Sequence, residues 1–347
     1  MRVSKNTSRS PQVRQPAKKQ RVLSGIRATG RLHLGNYLGA VKGMLALQED
    51  SRYETLYMVA DAHAITTPYK VEELRVNRRQ VMLDYLAAGL DPEKSVLFQQ
   101  AEVAQHFELA FYFSSVTTIA KMQHLPTFKD KVKQYPEHAT MALLNYPILM
   151  AADILVYQAG LVPVGIDQEP HLEVAREIAR RMNQEFGLSF PEPQRFATTG
   201  EYVPSLQGTG KMSKSVEGSY INLTDSLAQI QAALASAPTD SGKGEVVPAT
   251  GGVANLLKFV ELFQGKARRQ AYEDLYLGAG LRYKDLKAEL AEAIFAELKP
   301  IQQRRAELEA NPQYVNKVIA DGAEKARSIA QETIDEVKQK IGLMEAA

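Results

Sequence analysis

A chain of 347 residues, 45% hydrophobic and 24% charged, is long enough to bury a large core, and ordinary domain sizes make two domains the expectation. It has no cysteine, which excludes disulfides, thiolate zinc sites and a thiol nucleophile, and six scattered histidines predict no protein-bound metal site. The formal charge of +2 is uneven, and no run of about 18 apolar residues or signal-peptide core is present, which predicts a cytoplasmic protein with no membrane partner.

In chain order, residues 1–21 come first, with seven basic residues and no acid, while the rest of the chain has 35 basic against 40 acidic residues. Ser, Gln, Asn and Pro fill out this tail, which carries too little apolar surface to fold alone. It reads either as a solubilising extension or as an arm for RNA or another acidic partner. The stretch VLSGIRATGRLHLGNYLGAVKG, residues 22–43, then reads as strand, turn and helix. Its Gly25, Gly30 and Gly35 permit close backbone approach, and His33 and Asn36 present polar side chains where the helix begins. The free N–H groups and dipole at such a place favour phosphate.

Thr55–Ala60 reads as a buried strand ending at Asp61, Ala62 and His63, the kind of strand end that lines the ligand crevice of an open α/β sheet. A histidine there serves either structure or ligand. Val71–Ala88 has helical spacing with Gly89 as its cap, and Ser95–Phe98 is a short strand. Alternating β and α segments imply a parallel sheet covered on both faces.

Val103–Ala120 reads as one long helix, and residues 127–136 as a loop gathering Lys129, Lys131 and Lys133, a charge run whose default is a solvated face. In NYPILMAADILVYQ, Pro147 suits the first turn of a helix, which places Tyr146, Met150, Asp153 and Tyr157 on one face. Asp153 stands among Met150, Ala151, Ala152, Ile154 and Leu155, so its carboxylate must find a donor or lose its charge. That donor is either a buried protein group or a ligand. Leu161–Ile166 is a strand running into Gly165, Ile166, Asp167 and Gln168 ahead of a helix, Pro170–Phe186, which Gly187 ends. Here Asp167 can accept from ribose hydroxyls or act simply as a helix cap, and Gln168 offers both donor and acceptor.

SLQGTGKMSKS, residues 205–215, is a glycine-flanked loop with Lys211 and Lys214 three apart beside Ser213 and Ser215. Such a loop can close over a triphosphate and neutralise the charge on a departing pyrophosphate. Beyond Asn222 only helices are predicted, at Leu223–Ala235, Val253–Phe263, Ala267–Leu277, Tyr283–Leu308 and Tyr314–Ile341. The Gly- and Pro-rich segment 238–252 is a loop. The expected organisation is a basic tail (1–21), an α/β domain (22–210), the lysine loop (211–222) and a helical domain (223–347).

HLGN and KMSKS together are the paired signature of the class I aminoacyl-tRNA synthetases, and from Val22 to Leu343 the chain resembles the tryptophanyl-tRNA synthetase family. SGIRATGRLHLGN is similar to that family's SGxxPSGxxxxGN, ADAHAIT to VDQHAIT, YPILMAADIL to YPxLMAADIL, and VPVGIDQEPHLEVAREIA to VPVGEDQxxHxELxRDxA. The resemblance implies a Rossmann-like α/β catalytic domain with a C-terminal all-helical domain that binds the tRNA anticodon, in a homodimer. It implies activation of L-tryptophan with ATP, with Mg2+ entering as part of the ATP substrate, and transfer to tRNA(Trp). By the same matches Arg27, Ala28, Thr29, Gly35, Asn36, Gly165, Ile166, Asp167, Val203, Lys211, Met212, Ser213, Lys214 and Ser215 would contact ATP. Leu23, Gly25, His63, Tyr146, Met150, Asp153, Ile154, Val162, Val164 and Gln168 would surround the amino acid, Asp153 accepting the indole N–H.

His33 and Asn36 would act at the phosphates and Lys211 and Lys214 on the leaving pyrophosphate, with Lys131 as a further catalytic candidate. The chain departs from the family at Arg27 (usually Gln in bacterial members), Ala28 (Pro), Leu23 (often aromatic) and Ile166 (an acid), changes that bear on the ATP loop and on tolerance of modified indoles. A tyrosyl-tRNA synthetase shares both signatures. A catalytically silent relative that binds RNA or protein is the other alternative, against which the intact lysines argue.

Overall fold

The computed structural model describes residues 19–197, 202–214 and 216–345, so most of the basic tail and Ser215 of the lysine loop lie outside the described residues. The chain starts with β1 (Gln20–Arg27) and continues through α1 (Leu34–Asn36), a π-helical turn (Tyr37–Val41) and α2 (Lys42–Gln48). Next come β2 (Tyr53–Ala60), α3 (Val71–Ala88), β3 (Ser95–Gln99), α4 (Gln105–Ser114), α5 (Ile119–His124), α6 (Pro126–Gln134) and α7 (Met141–Leu155). β4 (Leu161–Pro163), α8 (Glu169–Phe186) and β5 (Gln194–Phe196) complete the α/β part. Five helices follow: α9 (Leu227–Ser236), α10 (Gly251–Gln264), α11 (Lys266–Leu277), α12 (Tyr283–Ala310) and α13 (Pro312–Lys340).

All strand pairs are parallel and the order is β3-β2-β1-β4-β5. The chain winds outward in one direction from β1 to β3 and in the other from β4 to β5. The carboxyl ends of β1 and β4 therefore flank the switch point, where an open sheet leaves a crevice for ligand.

Several expectations are corrected. Arg21 belongs to β1 rather than to the tail and pairs with Glu54 at 2.8 Å. The helix expected over 103–120 is two helices. Ser114, Ser115 and Thr117 hydroxyls donate back to the carbonyls of Ala110, Tyr112 and Phe113 at 2.7–2.8 Å, and Thr118 then caps α5. Of the residues expected as a loop, 127–136, those up to Gln134 belong to α6, which has Pro126 in its first turn. α7 begins at Met141, where the Thr140 side chain accepts from the Leu143 N–H, so Pro147 lies inside the helix. Tyr157 falls beyond the end of α7, β4 stops at Pro163, and residues 166–168 form a 3-10 turn. β5 carries no sequence signal strong enough to have been anticipated.

The C-terminal helices share the core of the sheet. Leu290, Ile294 and Leu298 of α12 join one apolar cluster with Val41, Met44, Val81 and Tyr85, and Ala326, Ala330 and Ile334 of α13 join another with Leu56 and Phe98. Close packing of α13 on β3 depends on Gly322, where a Cβ would lie 1.7 Å from the Leu97 carbonyl oxygen.

Candidate active site

A cavity of about 910 Å³ opens at the carboxyl ends of β1 and β4. On one side is the turn between β1 and α1. Gly30 there has φ +128°, which only glycine adopts readily, and a Cβ at Gly35 would lie 2.7 Å from the ring of His33, which packs back over it. The His33 N–H donates to Asn36 Oδ1 at 3.2 Å. Lysines of the 205–215 loop arrive over this turn: the Lys214 Nζ lies where a Cβ on Gly30 would be 2.9 Å away, and Met212 Sδ accepts the Gly35 N–H at 3.2 Å. Burial, reinforced by Lys214 and Lys211, lowers His33 to about 4, so its imidazole is neutral at pH 7, and its Nδ1 is buried without a hydrogen-bond partner among the described residues. Burial also lowers Lys214 to about 8 against the opposing pull of Asp84.

The opposite end is closed by Asp153, which is fully buried. Its Oδ2 faces His63 Nε2 at 2.7 Å, and its Oδ1 receives His106 Nδ1 at 2.5 Å and Gln100 Nε2 at 2.8 Å. Burial alone would raise this carboxyl, but the two histidines more than offset it and hold it at about 2. Tyr157, whose hydroxyl is 2.7 Å from His106 Nε2, extends the chain of hydrogen bonds. The donor that Asp153 requires is thus supplied by the protein, while Oδ2 retains a lone pair beyond its one partner.

Between the two ends runs a second network. His171 Nδ1 donates to Gln168 Oε1 at 2.9 Å, which leaves Nε2 as the acceptor at the end of a relay in which the Tyr146 hydroxyl donates to Thr127 Oγ1 (2.9 Å) and the Thr127 hydroxyl donates to Nε2 (2.9 Å). Gln168 Nε2 donates in turn to Asp167 Oδ2 at 2.8 Å. Thr127 is on α6, which also carries Lys131 into the cavity, while Lys129 and Lys133 of the same helix are exposed. Burial lowers Lys131, and the nearby charge of Arg27 lowers it further. Arg27 donates to Thr67 Oγ1 at 3.1 Å but its buried Nε has no partner among the described residues, so a guanidinium edge can meet an anion.

The sequence pattern of the tRNA synthetases class I (W and Y) matches residues 15–299. The chain belongs to this family. Among its relatives in the class I synthetases, the tryptophan–tRNA ligase of Porphyromonas gingivalis is 39% identical over 92% of this chain and 98% of its own length. That of Rickettsia conorii is 40% identical over 94% and 99%. The solved tryptophanyl-tRNA synthetase of Campylobacter jejuni, complexed with ADP and tryptophan, superposes with a TM-score of 0.81 at 33% identity, covering 93% of this chain and 100% of that one.

In this class I synthetase the cavity gathers residues that the sequence scatters widely. Leu23, Gly25, Arg27 and Thr29 reach it from β1 and its turn, with His33, Gly35 and Asn36 beside them. His63 enters from the end of β2, Tyr146, Met150, Asp153 and Ile154 from α7, and Val162, Val164, Gly165, Asp167 and Gln168 from β4 and its turn. Lys131, Lys211, Met212, Ser213 and Lys214 complete the predicted set on its wall. Three expected residues are not brought there: Ala28 and Val203 are buried in the core, and Ile166 is 64% exposed outside the cavity. Ser215 lies outside the described residues. Gln100, His106, Thr127 and His171 went unassigned because their polar partners lie on other elements.

Proposed function

We propose that the chain is a tryptophan–tRNA ligase. An oxygen of the tryptophan carboxylate attacks the α-phosphorus of Mg-ATP and the bond to pyrophosphate breaks. A hydroxyl of the terminal ribose of tRNA(Trp) then attacks the acyl carbon of the adenylate and AMP leaves. The observation that carries this reading is one cavity with two unlike ends: a turn at the neutral His33 over which Lys211 and Lys214 bring positive charge, and a pocket over the buried Asp153 carboxylate. The similarity to the tryptophan–tRNA ligases supports it.

In this mechanism Lys211 and Lys214 stabilise the departing pyrophosphate, Asn36 and neutral His33 orient the phosphates, and Asp167 accepts from the ribose. Arg27 and Lys131 place positive charge beside the α-phosphate. No covalent nucleophile is required, since positioning and charge stabilisation carry the reaction. Tryptophan lies between Met150, Ile154 and Val162, with its indole N–H directed at Asp153 Oδ2 and its amino group near Tyr146 and Gln168. Helices α9–α13 would receive the anticodon, two copies would form the working dimer, and the cytoplasm would be the site of action. Among the described residues no helix is long and apolar enough to cross a membrane.

The test is exchange of labelled pyrophosphate into ATP with tryptophan and tyrosine in parallel. Tryptophan alone should support exchange. Exchange with tyrosine alone would move the protein to the tyrosine enzymes, and none with either would leave a silent relative.

A further inference from the structure

Three polar side chains of α12 reach the phosphate-binding unit of the cavity. Glu297 accepts the Tyr37 hydroxyl at 3.0 Å and pairs with Lys42 at 2.9 Å, both on the helical run that follows HLGN. Gln302 Nε2 donates to the carbonyls of Leu223 and Asp225 at 2.9 and 3.0 Å. That segment is bridged to the turn itself, through Leu223 N–H to the Leu32 carbonyl at 3.1 Å and Leu34 N–H to the Ile221 carbonyl at 2.9 Å. Arg305, 4% exposed, pairs with Asp84, 1% exposed, and the other oxygen of Asp84 accepts the Leu32 N–H at 2.8 Å. Nη2 of the guanidinium meets Gln80 Oε1 and Glu309, and Nη1 also donates to the Gln80 carbonyl at 3.4 Å.

Leu32 immediately precedes His33, and the charge of Asp84 also acts on Lys214, opposing the lowering that burial imposes on it. A buried ion pair is weak support for a fold, because desolvating both charges offsets most of their attraction. What the Arg305 fork does supply is direction. It fixes one carboxylate in one orientation, and that carboxylate fixes one backbone amide.

We propose that Arg305 is a positioning residue for the activation step, holding the Leu32 amide through Asp84 and thereby keeping the His33–Asn36 turn where the ATP phosphates meet the lysine loop. The inference rests on reading this cavity as the ATP site. It makes α12, which begins 250 residues after His33, part of the catalytic scaffold.

The test compares ATP and tryptophan binding at equilibrium, with labelled ATP in one arm and the fluorescence of tryptophan itself in the other. Arg305→Lys keeps the charge but loses the planar fork. It should weaken ATP by at least about fivefold while tryptophan stays within about twofold of wild type, since a small displacement of a positioned group has large effects only where that group acts. Asp84→Asn/Arg305→Gln leaves no charge buried, so it should fold even if the lysine variant does not, and it should show the same selective loss. Unchanged ATP affinity in the folded variants, equal weakening of both ligands, or fewer binding sites at unaltered affinity would each overturn the proposal. Wild-type pyrophosphate exchange is measured separately. Its absence would sink the proposed reaction, whereas the variant-to-wild-type ratio of ATP affinity decides the role of Arg305.

Discussion

Lys214 is held at about 8 by burial, with Asp84 opposing, and it lies over Gly30 where the phosphates would arrive. Its charge matters most as pyrophosphate leaves, so Lys214→Ala should slow adenylate formation at least about tenfold while tryptophan affinity stays within severalfold. Rapid-quench measurement of adenylate checks this, and an unaltered rate removes the lysine from the mechanism. A bound triphosphate favours the protonated amine, so binding takes up a proton once the pH exceeds the free value. ATP affinity should therefore fall as pH rises from about 8 toward the higher pKa of the complex, and Lys214→Arg should flatten that dependence in the same titration. Asp153→Asn removes the charge that His63, His106 and Gln100 surround, and should cost tryptophan binding roughly 1.5 to 3 kcal/mol. The chain has no Trp of its own, so the substrate's fluorescence reports directly. Equal affinity in the variant would make Asp153 a purely structural anion. The residues of the two signatures were legible in the sequence because each motif is contiguous. The second partners of Asp153 were not, since His106 and Gln100 meet it only across helices.

Among the elements, those read correctly were set by local rules. α3 runs over the residues its spacing predicts, and Gly89 ends it with φ +112°. α8 ends at Gly187 in the same left-handed way, with φ +65°. The misread elements were those where side-chain hydrogen bonds or tertiary packing overruled periodicity, such as the Ser/Thr break after α4 and the interior Pro147 of α7. α13 shows the same point in its packing. Its Gly322 lets the helix approach β3 so closely that a methyl group would meet the Leu97 carbonyl oxygen at 1.7 Å. Because the obstacle is backbone, neither element can yield without moving, and Gly322→Ala should destabilise the protein by about 1 to 3 kcal/mol or more despite alanine's better helix propensity. Denaturant unfolding measures this, and a stabilised variant would show that α13 is not seated on β3.

Over the whole molecule, charge is divided between a basic N-terminal stretch and a body of net negative charge. If that stretch meets tRNA, deleting residues 1–18, which carry five of its seven basic groups, should weaken tRNA binding and flatten its salt dependence. Each lost phosphate contact removes about 0.7 to 0.9 from the slope of log K against log salt, so superimposable slopes would exclude the contact. Tryptophan activation without tRNA should not change, because β1 begins after the deleted residues. The sequence by itself determined the parallel α/β plan, the helical C-terminal third and the two signatures, since hydrophobic period, glycine placement and contiguous motifs are local properties of a chain. Only the tertiary structure decided that Asp153 is satisfied by three protein donors, that Lys131 alone of its lysine run enters the cavity, and that Arg305 reaches an aspartate 221 residues away. A buried charge is settled by whichever groups the fold brings within hydrogen-bond reach, and spacing along the chain does not carry that information.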